Sequence, residues 1–265
     1  MNARPLLSIV TVCRNSLPAL QRTVASVLSQ QTPEVEYWVV DGASTDGTRE
    51  WIATLEARGV RLLSEPDGGI SDAMNKGTRL ATGEWVAHLH ADDRYLLGAV
   101  AAVLDAIHAD DADVLCGHIL KLEQKGEVLC RTAPERLAIE MGVPHPAVFA
   151  RRELWERLGG FDTTLKNAMD YDLFLRARAV GARFRVIDRP LTLVAWGGQS
   201  ERSLWKTLRE THEVRRRQLQ SGWSRSPLFL WMLYVKGWMR MTLQSLGLGG
   251  LVTWYRRHLS IPKKA

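Results

Sequence analysis

Between Leu6 and Leu89 the chain alternates short apolar runs with stretches of helical spacing, and this alternation restricts its fold more than any other feature. Residues 6–13 are apolar and rich in β-branched side chains, and read as a strand. Asn15 or Ser16 then caps a helix with Pro18 in its first turn and Leu20, Val24, Val27 and Leu28 as its apolar stripe. Residues 36–40 form a second strand. The following DGASTDGT, residues 41–48, is dense in turn formers and opens a helix ending near Gly59. Residues 60–64 are a third strand. Ile70, Ala73, Met74, Gly77 and Leu80 then recur at helical spacing, Gly83 ends that helix, and residues 85–89 are a fourth strand. This βαβαβαβ succession predicts an α/β fold with a mostly parallel sheet covered by helices on both faces.

The second half is less regular. Residues 96–108 read as a helix, 113–116 as a strand, and 119–122 with 128–130 as a hairpin grafted onto the parallel core. Residues 134–141 carry no clear pattern. Residues 148–150 read as a strand with a helix from Arg152, and 170–180 as a helix closed by Gly181. Residues 183–187 and 191–195 read as two edge strands around Asp188–Pro190. After Gly198 the composition shifts, so the chain divides into residues 1–198 and a helical, aromatic and basic extension, 199–265. Residues 201–220 are strongly charged. Residues 227–241 are mostly apolar, with Trp231, Tyr234 and Trp238 interrupted by Lys236 and Arg240; 246–254 are a second apolar patch, and the tail from Arg256 is basic. Neither patch reaches the uninterrupted length of about 20 residues that a spanning helix needs. Short aromatic and basic helices fit a segment lying on a membrane surface, and equally one packed on the core or on a partner subunit.

Composition narrows the class. Of 265 residues 46% are hydrophobic and 24% charged, enough for a substantial core and against global disorder. The net charge of +6 admits nucleic acid, anionic lipid and phosphorylated small molecules as partners. Nucleic acid fits poorly, because the basic residues are interleaved with acids and no recognition motif is present. Cys13, Cys116 and Cys130 lack metal-site spacing and their odd number points to a reduced compartment. The opening MNARPLLSIV runs straight into a strand without a cleavage site, so no signal peptide is expected.

The chemistry concentrates where strands end. EWVAHLHADDR, residues 84–94, carries a buried strand into His90, Asp92 and Asp93, where open α/β sheets place their ligands. Carboxylates there are costly to desolvate, and a divalent cation carrying phosphate oxygens offsets that cost. The plainer alternative is that both acids cap a helix starting near Tyr95. Asp41 ends the second strand and can accept hydrogen bonds from a base or ribose, while Asp46 reads as structural. In EPDGGISDAMNKG, Asp67, Asp72 and Lys76 are candidates for a nucleotide or its phosphates; alternatively Asp72 and Lys76 are a surface pair one turn apart. Asn75 is unfavourable inside a helix unless its amide is engaged. His145, between two prolines, is a candidate diphosphate or acceptor contact or a structural histidine. Of Asp170 and Asp172 at the start of the later helix, one can cap and one can serve as a general base.

Four ordered pieces carry a resemblance over about residues 7–195: SIVTVCRN, VVDGASTDGT, the HADD strand end, and GGFDTTLKNAMDYDLFLR. In this order and spacing the chain resembles family 2 glycosyltransferases, inverting enzymes of GT-A type that use nucleotide sugars. The resemblance extends to bacterial exopolysaccharide, O-antigen and colanic-acid-type assembly enzymes. It implies donor contacts at Thr11, Cys13 and Asn15, base recognition at Asp41, and Mg²⁺ or Mn²⁺ with the donor diphosphate at Asp92. The family's metal motif reads His90–Ala91–Asp92 here, so histidine replaces its first acid, with His90 and Asp93 as further candidate ligands. It implies a catalytic base at Asp170, with Asp172 as the fallback. The function implied is metal-dependent transfer of sugar from a UDP- or GDP-linked donor to a saccharide hydroxyl, the acceptor carried on a polyprenyl diphosphate at the cytoplasmic face of the inner membrane. The competing classes are a nucleotidyltransferase, which lacks its glycine-rich basic loop after the first strand, and a non-catalytic membrane adaptor on a degenerate fold. A homo-oligomer built on the aromatic C-terminal segments is a further possibility.

Overall fold

The computed structural model describes residues 4–109, 111–123, 126–195 and 203–245. One mixed sheet organises it, built from β1 (Leu7–Cys13), β2 (Val35–Asp41), β3 (Val60–Ser64), β4 (Trp85–His88), β5 (Arg94–Tyr95), β6 (Val114–Glu123), β7 (Gly126–Cys130), β8 (Val148–Arg151) and β9 (Phe184–Val194). The strand order is β3-β2-β1-β4-β8-β6-β9-β5, with β7 paired to β6 outside that path. The helices are α1 (Leu17–Leu28), α2 (Thr48–Ala53), α3 (Ile70–Leu80), α4 (Ala99–Ala109), α5 (Arg152–Leu158), α6 (Met169–Ala179), α7 (Leu204–Gln218) and α8 (Pro227–Ser245).

The α/β class and the parallel half follow the alternation in the sequence: β1 runs parallel to β2 and β4, and β2 to β3. Beyond β4 the sheet becomes mixed, with β8 antiparallel to β4 and β6, and β9 parallel to β6. Strand periodicity sends alternate side chains to opposite faces. Leu7 and Ile9, Tyr37 and Val39, Trp85 and Ala87 pack with α1 and α4. Val10, Val12, Val40 and Val86 pack with α3, α5 and α6. Burying one such side chain, Phe149 for instance, contributes ~1.5–3 kcal/mol. Gly77 brings α3 close to the sheet, because a Cβ there would collide with Val10 Cγ1.

Several expectations change. Helix α4 begins at Ala99, and Arg94–Tyr95 is instead a short strand pairing with β9. Asp92 and Asp93 therefore do not cap a helix near Tyr95. The strand at 113–116 and the first arm of the hairpin are one strand, β6, kinked where its register with β9 shifts between Gly117 and Ile119. The two expected edge strands are likewise one strand, β9, lying between β6 and β5. Pro190 is tolerated there because it faces that irregularity. Helix α1 takes no side-chain cap from Ser16; its Leu17 N–H donates to Asp46 Oδ2 at 3.0 Å. The 198/199 boundary, the 246–254 patch and the basic tail lie outside the described residues.

Candidate active site

The carboxyl ends of β1 and β2 meet a loop that opens α2. Asp41 is fully buried; its carboxylate accepts from the Ser44 amide at 3.1 and 3.2 Å, from the Ser44 hydroxyl, and from Ser64 Oγ at 2.7 Å. Cys13 Sγ lies 3.8 Å from Asp41 Oδ1, and burial together with that acid pushes its thiol pKa up, so it is no nucleophile. Asn15 has φ of 48° and joins the same loop: its amide donates to Ser44 Oγ and its Oδ1 accepts from the Thr45 amide, both at 2.8 Å. Thr11 is wholly buried and its hydroxyl accepts from Tyr37 at 3.0 Å, inside the core. Asp46, read as structural, accepts from Thr48 and Leu17 and ties the two helix starts together.

The 65–76 turn closes over this loop. Asp67 Oδ1 accepts from the Gly69 amide at 2.8 Å, and its Oδ2 lies so close to Gly42 that a Cβ there would collide with it; Arg14 flanks the same spot. Lys76 Nζ donates to Pro66 O at 2.7 Å and pairs with Glu65 at 2.8 Å, with Asp72 at 3.6 Å. Asp72 also accepts from the Gly68 amide. Asn75 earns its place inside α3: its Nδ2 donates to Phe161 O at 2.9 Å and its Oδ1 accepts from Phe161 N at 2.8 Å.

Period-two alternation turns His88 and His90, like Val86, toward the α3 and α6 face. His145 stacks on His88 with ring centroids 5.7 Å apart, and its Nδ1 lies 3.3 Å from His90 Nε2. Burial lowers all three pKa values: His88 to about 3, His90 to about 4, and His145 well below the ordinary value. With its pKa lowered to about 4 by burial, His90 is a neutral imidazole at neutral pH. Its Nδ1 is buried without a partner. Asp92 is exposed at φ of 151°, a backbone region that non-glycine residues rarely occupy. The Thr23 hydroxyl holds this turn, accepting from the Asp92 amide at 3.2 Å and donating to Asp93 O at 2.8 Å. Asp93 turns inward, 5% exposed, where burial pushes its pKa up to about 7.

The histidines link the strand end to α6. His145 also contacts Phe174, at 6.1 Å between ring centroids. Asp170 stands one helical turn before Phe174 and so shares that face. Burial pushes the Asp170 carboxyl up to about 6, against the bond it accepts from the Tyr171 amide at 2.7 Å. Asp172, the fallback base, is 3% exposed and commits both oxygens, to Arg176 Nε at 2.7 Å and Gln218 Nε2 at 2.8 Å. Arg176 in turn donates to Leu158 O and Gly160 O, which gives this pair a packing role. A cavity of about 150 Å³ lined by Gly68, Gly69, Ile70, Ser71, Thr163, Leu165 and Lys166 joins the start of α3 to the loop before α6. A larger one of about 350 Å³, between the 30–34 segment after α1 and helix α4, contains none of the candidate residues.

Thr23 and Ser64 escaped sequence reasoning, because their roles arise from contacts between elements; Arg14 and Ser44 lie inside the SIVTVCRN and VVDGASTDGT stretches, where nothing in the sequence singles them out as site residues.

The model of "Glycosyl transferase family 2" matches residues 8–137. An uncharacterized glycosyltransferase of Mycobacterium tuberculosis is 33% identical over 187 residues, 68% of this chain and 71% of that protein. A PGL/p-HBAD biosynthesis glycosyltransferase of Mycobacterium bovis is 26% identical over 96% of this chain and 99% of its own. Among solved structures, the mannosyltransferase PcManGT of Pyrobaculum calidifontis, in complex with GDP-Man and Mn²⁺, shares the fold at a TM-score of 0.63 and 22% identity, over 98% of this chain and 77% of that one. With the same architecture and a relative of this identity covered over most of its length, the chain belongs to glycosyltransferase family 2.

Proposed function

We propose that the chain is an inverting, metal-dependent glycosyltransferase that moves a sugar from a UDP- or GDP-linked donor to a saccharide hydroxyl in surface-polysaccharide assembly. What carries the reading is Asp170, a carboxylate with its pKa raised to about 6, on the helix face that the histidines connect to the end of β4. Asp170 takes the proton of the acceptor hydroxyl as that oxygen bonds to the anomeric carbon and the bond to the donor diphosphate breaks. One displacement inverts that carbon and needs no enzyme-bound sugar. Asp41 and the loop around Asn15, with Asp67, serve the nucleoside; Lys76, with Asp72 as its neighbour one turn away, and His145 serve the diphosphate side.

Among the described residues no three His, Cys, Asp or Glu side chains converge into a complete metal cage. A single exposed carboxylate such as Asp92 still suits Mg²⁺ or Mn²⁺, which take one or two carboxylates and fill their shell with phosphates and water. When bound there, the cation supplies positive charge to the departing diphosphate. Titration calorimetry with UDP and GDP, with and without Mn²⁺, and a screen of UDP-, GDP- and dTDP-sugars for nucleoside diphosphate release test the reading. Metal-dependent binding and release are expected; binding of neither nucleotide would favour the adaptor.

The acceptor is proposed to be lipid-linked, and residues 199–265 to bring the cleft to an anionic bilayer at the cytoplasmic face of the inner membrane. No described helix is long and apolar enough to cross a membrane. Leu228, Trp231, Met232, Trp238 and Met239 recur at helical spacing on α8 and are all exposed, the two tryptophans by 63% and 64%. Residues 203–245 carry eight Lys and Arg against two Glu, the balance that an anionic surface attracts.

A further inference from the structure

Helix α6 starts without a cap of its own. Its N-cap position is Ala168, which makes no side-chain hydrogen bond, and alanine is among the poorest residues for that place. The missing acceptor comes from α7. Glu210 Oε1 accepts from the Lys166 amide at 2.9 Å, and Oε2 from the amides of Asn167 and, at 2.8 Å, Ala168. One carboxylate thus gathers three successive backbone N–H groups directly ahead of Met169 and Asp170, where the helix dipole also favours negative charge. The N-cap residue of α7 and the rest of that helix grip the same helix start: Ser203 Oγ donates to Asn167 Oδ1 at 2.8 Å, Arg215 Nε to the Tyr171 hydroxyl at 3.2 Å, and Gln218 to Asp172.

We propose that Glu210 is a positioning residue for the transfer reaction: by holding the 166–168 backbone it fixes where Asp170 sits, so that α7 completes the active site. The inference rests on the reading of Asp170 as the base. It assigns the charged helix a part in turnover separate from any contact with lipid.

The groups around Asp170 support an electrostatic readout. Glu210 bears on it from α7 as a like charge and adds to the effect of burial. On α6 itself Asp172 is paired with Arg176. Arg215 faces Tyr171, and His145, neutral, meets α6 through Phe174. Removing the Glu210 charge should therefore lower the Asp170 pKa from about 6.

The test uses the full chain with Glu210→Gln and Glu210→Ala. Asp170 is titrated by carboxyl-carbon NMR, and kcat and donor KM are measured for release of nucleoside diphosphate from the sugar nucleotide the screen identifies. Glu210→Gln should shift the Asp170 titration to lower pH while the chain stays folded. Glu210→Ala should lower kcat about 10- to 100-fold, the usual cost of a misplaced reacting group, with donor KM within about twofold. An Asp170 titration unmoved in Glu210→Gln, or an undiminished kcat in Glu210→Ala, would overturn the proposal. Should Glu210→Ala not fold, kcat of Glu210→Gln, with its acid limb moved in step with the NMR titration, decides in its place. Asp170→Asn is run in parallel: wild-type turnover there would remove the base assignment, while the titration still reports whether Glu210 acts on Asp170.

Discussion

Asp170 and Asp92 show how single residues are set apart by their backbone and burial. With its pKa raised to about 6, Asp170 is ionised at neutral pH yet basic enough to accept a proton. Its Asn variant should lose transfer by orders of magnitude while calorimetry finds donor affinity nearly unchanged; lost affinity with retained turnover would move the base elsewhere. With Asp170 as the proposed base only its ionised form can accept the proton, so the wild-type rate should fall below pH 6, by about tenfold per pH unit, and level off above it. Asp92 holds φ of 151° at the strand end. Glycine adopts that backbone freely, so Asp92→Gly should be ~1 kcal/mol more stable than Asp92→Ala in urea unfolding, with both variants inactive. Equal stabilities would argue that the turn stores no strain for function.

Helices and strands here are held at their ends by residues from elsewhere in the chain. The amide of Asn75 clamps Phe161 from inside α3 with two hydrogen bonds. Asn75→Leu should lower stability by ~1–3 kcal/mol, because it leaves the Phe161 backbone groups unpartnered. Gly160, at φ of 76°, lies against the same amide, and a Cβ there would collide with Asn75 Oδ1. Gly160→Ala should therefore destabilise the same junction, and the double variant should cost less than the sum of the two, as expected for neighbours that share one contact. Denaturant midpoints of the three variants check this. The sequence flagged Asn75 as needing a partner; the partner, 86 residues away, was legible only in the fold.

At the scale of the whole molecule, a sheet with its chemistry along one rim carries a helical layer that reaches back to that rim and also presents an exposed apolar stripe on α8. Substituting Trp231 and Trp238 together with serine should lower co-flotation of the full chain with vesicles rich in anionic phosphatidylglycerol. Both side chains point to solvent, so the melting temperature should change little. Flotation equal to wild type would sink the lipid reading, and a concentration-dependent dimer lost in the variant would assign the stripe to a second copy of the chain.

The sequence by itself determined the α/β class, the parallel half of the sheet and the strand ends that hold Asp41, Asp92 and the neighbouring histidines. Those features rest on local periodicity and turn chemistry, which neighbouring residues encode. Only the tertiary structure decided that Asp93 turns inward, that His90 is neutral against His145, that Asp172 is tied to Arg176 and Gln218, and that Glu210 caps the helix of Asp170. Desolvation and hydrogen bonding between elements set these outcomes, and both depend on which surfaces meet, a quantity that spacing along the chain does not contain.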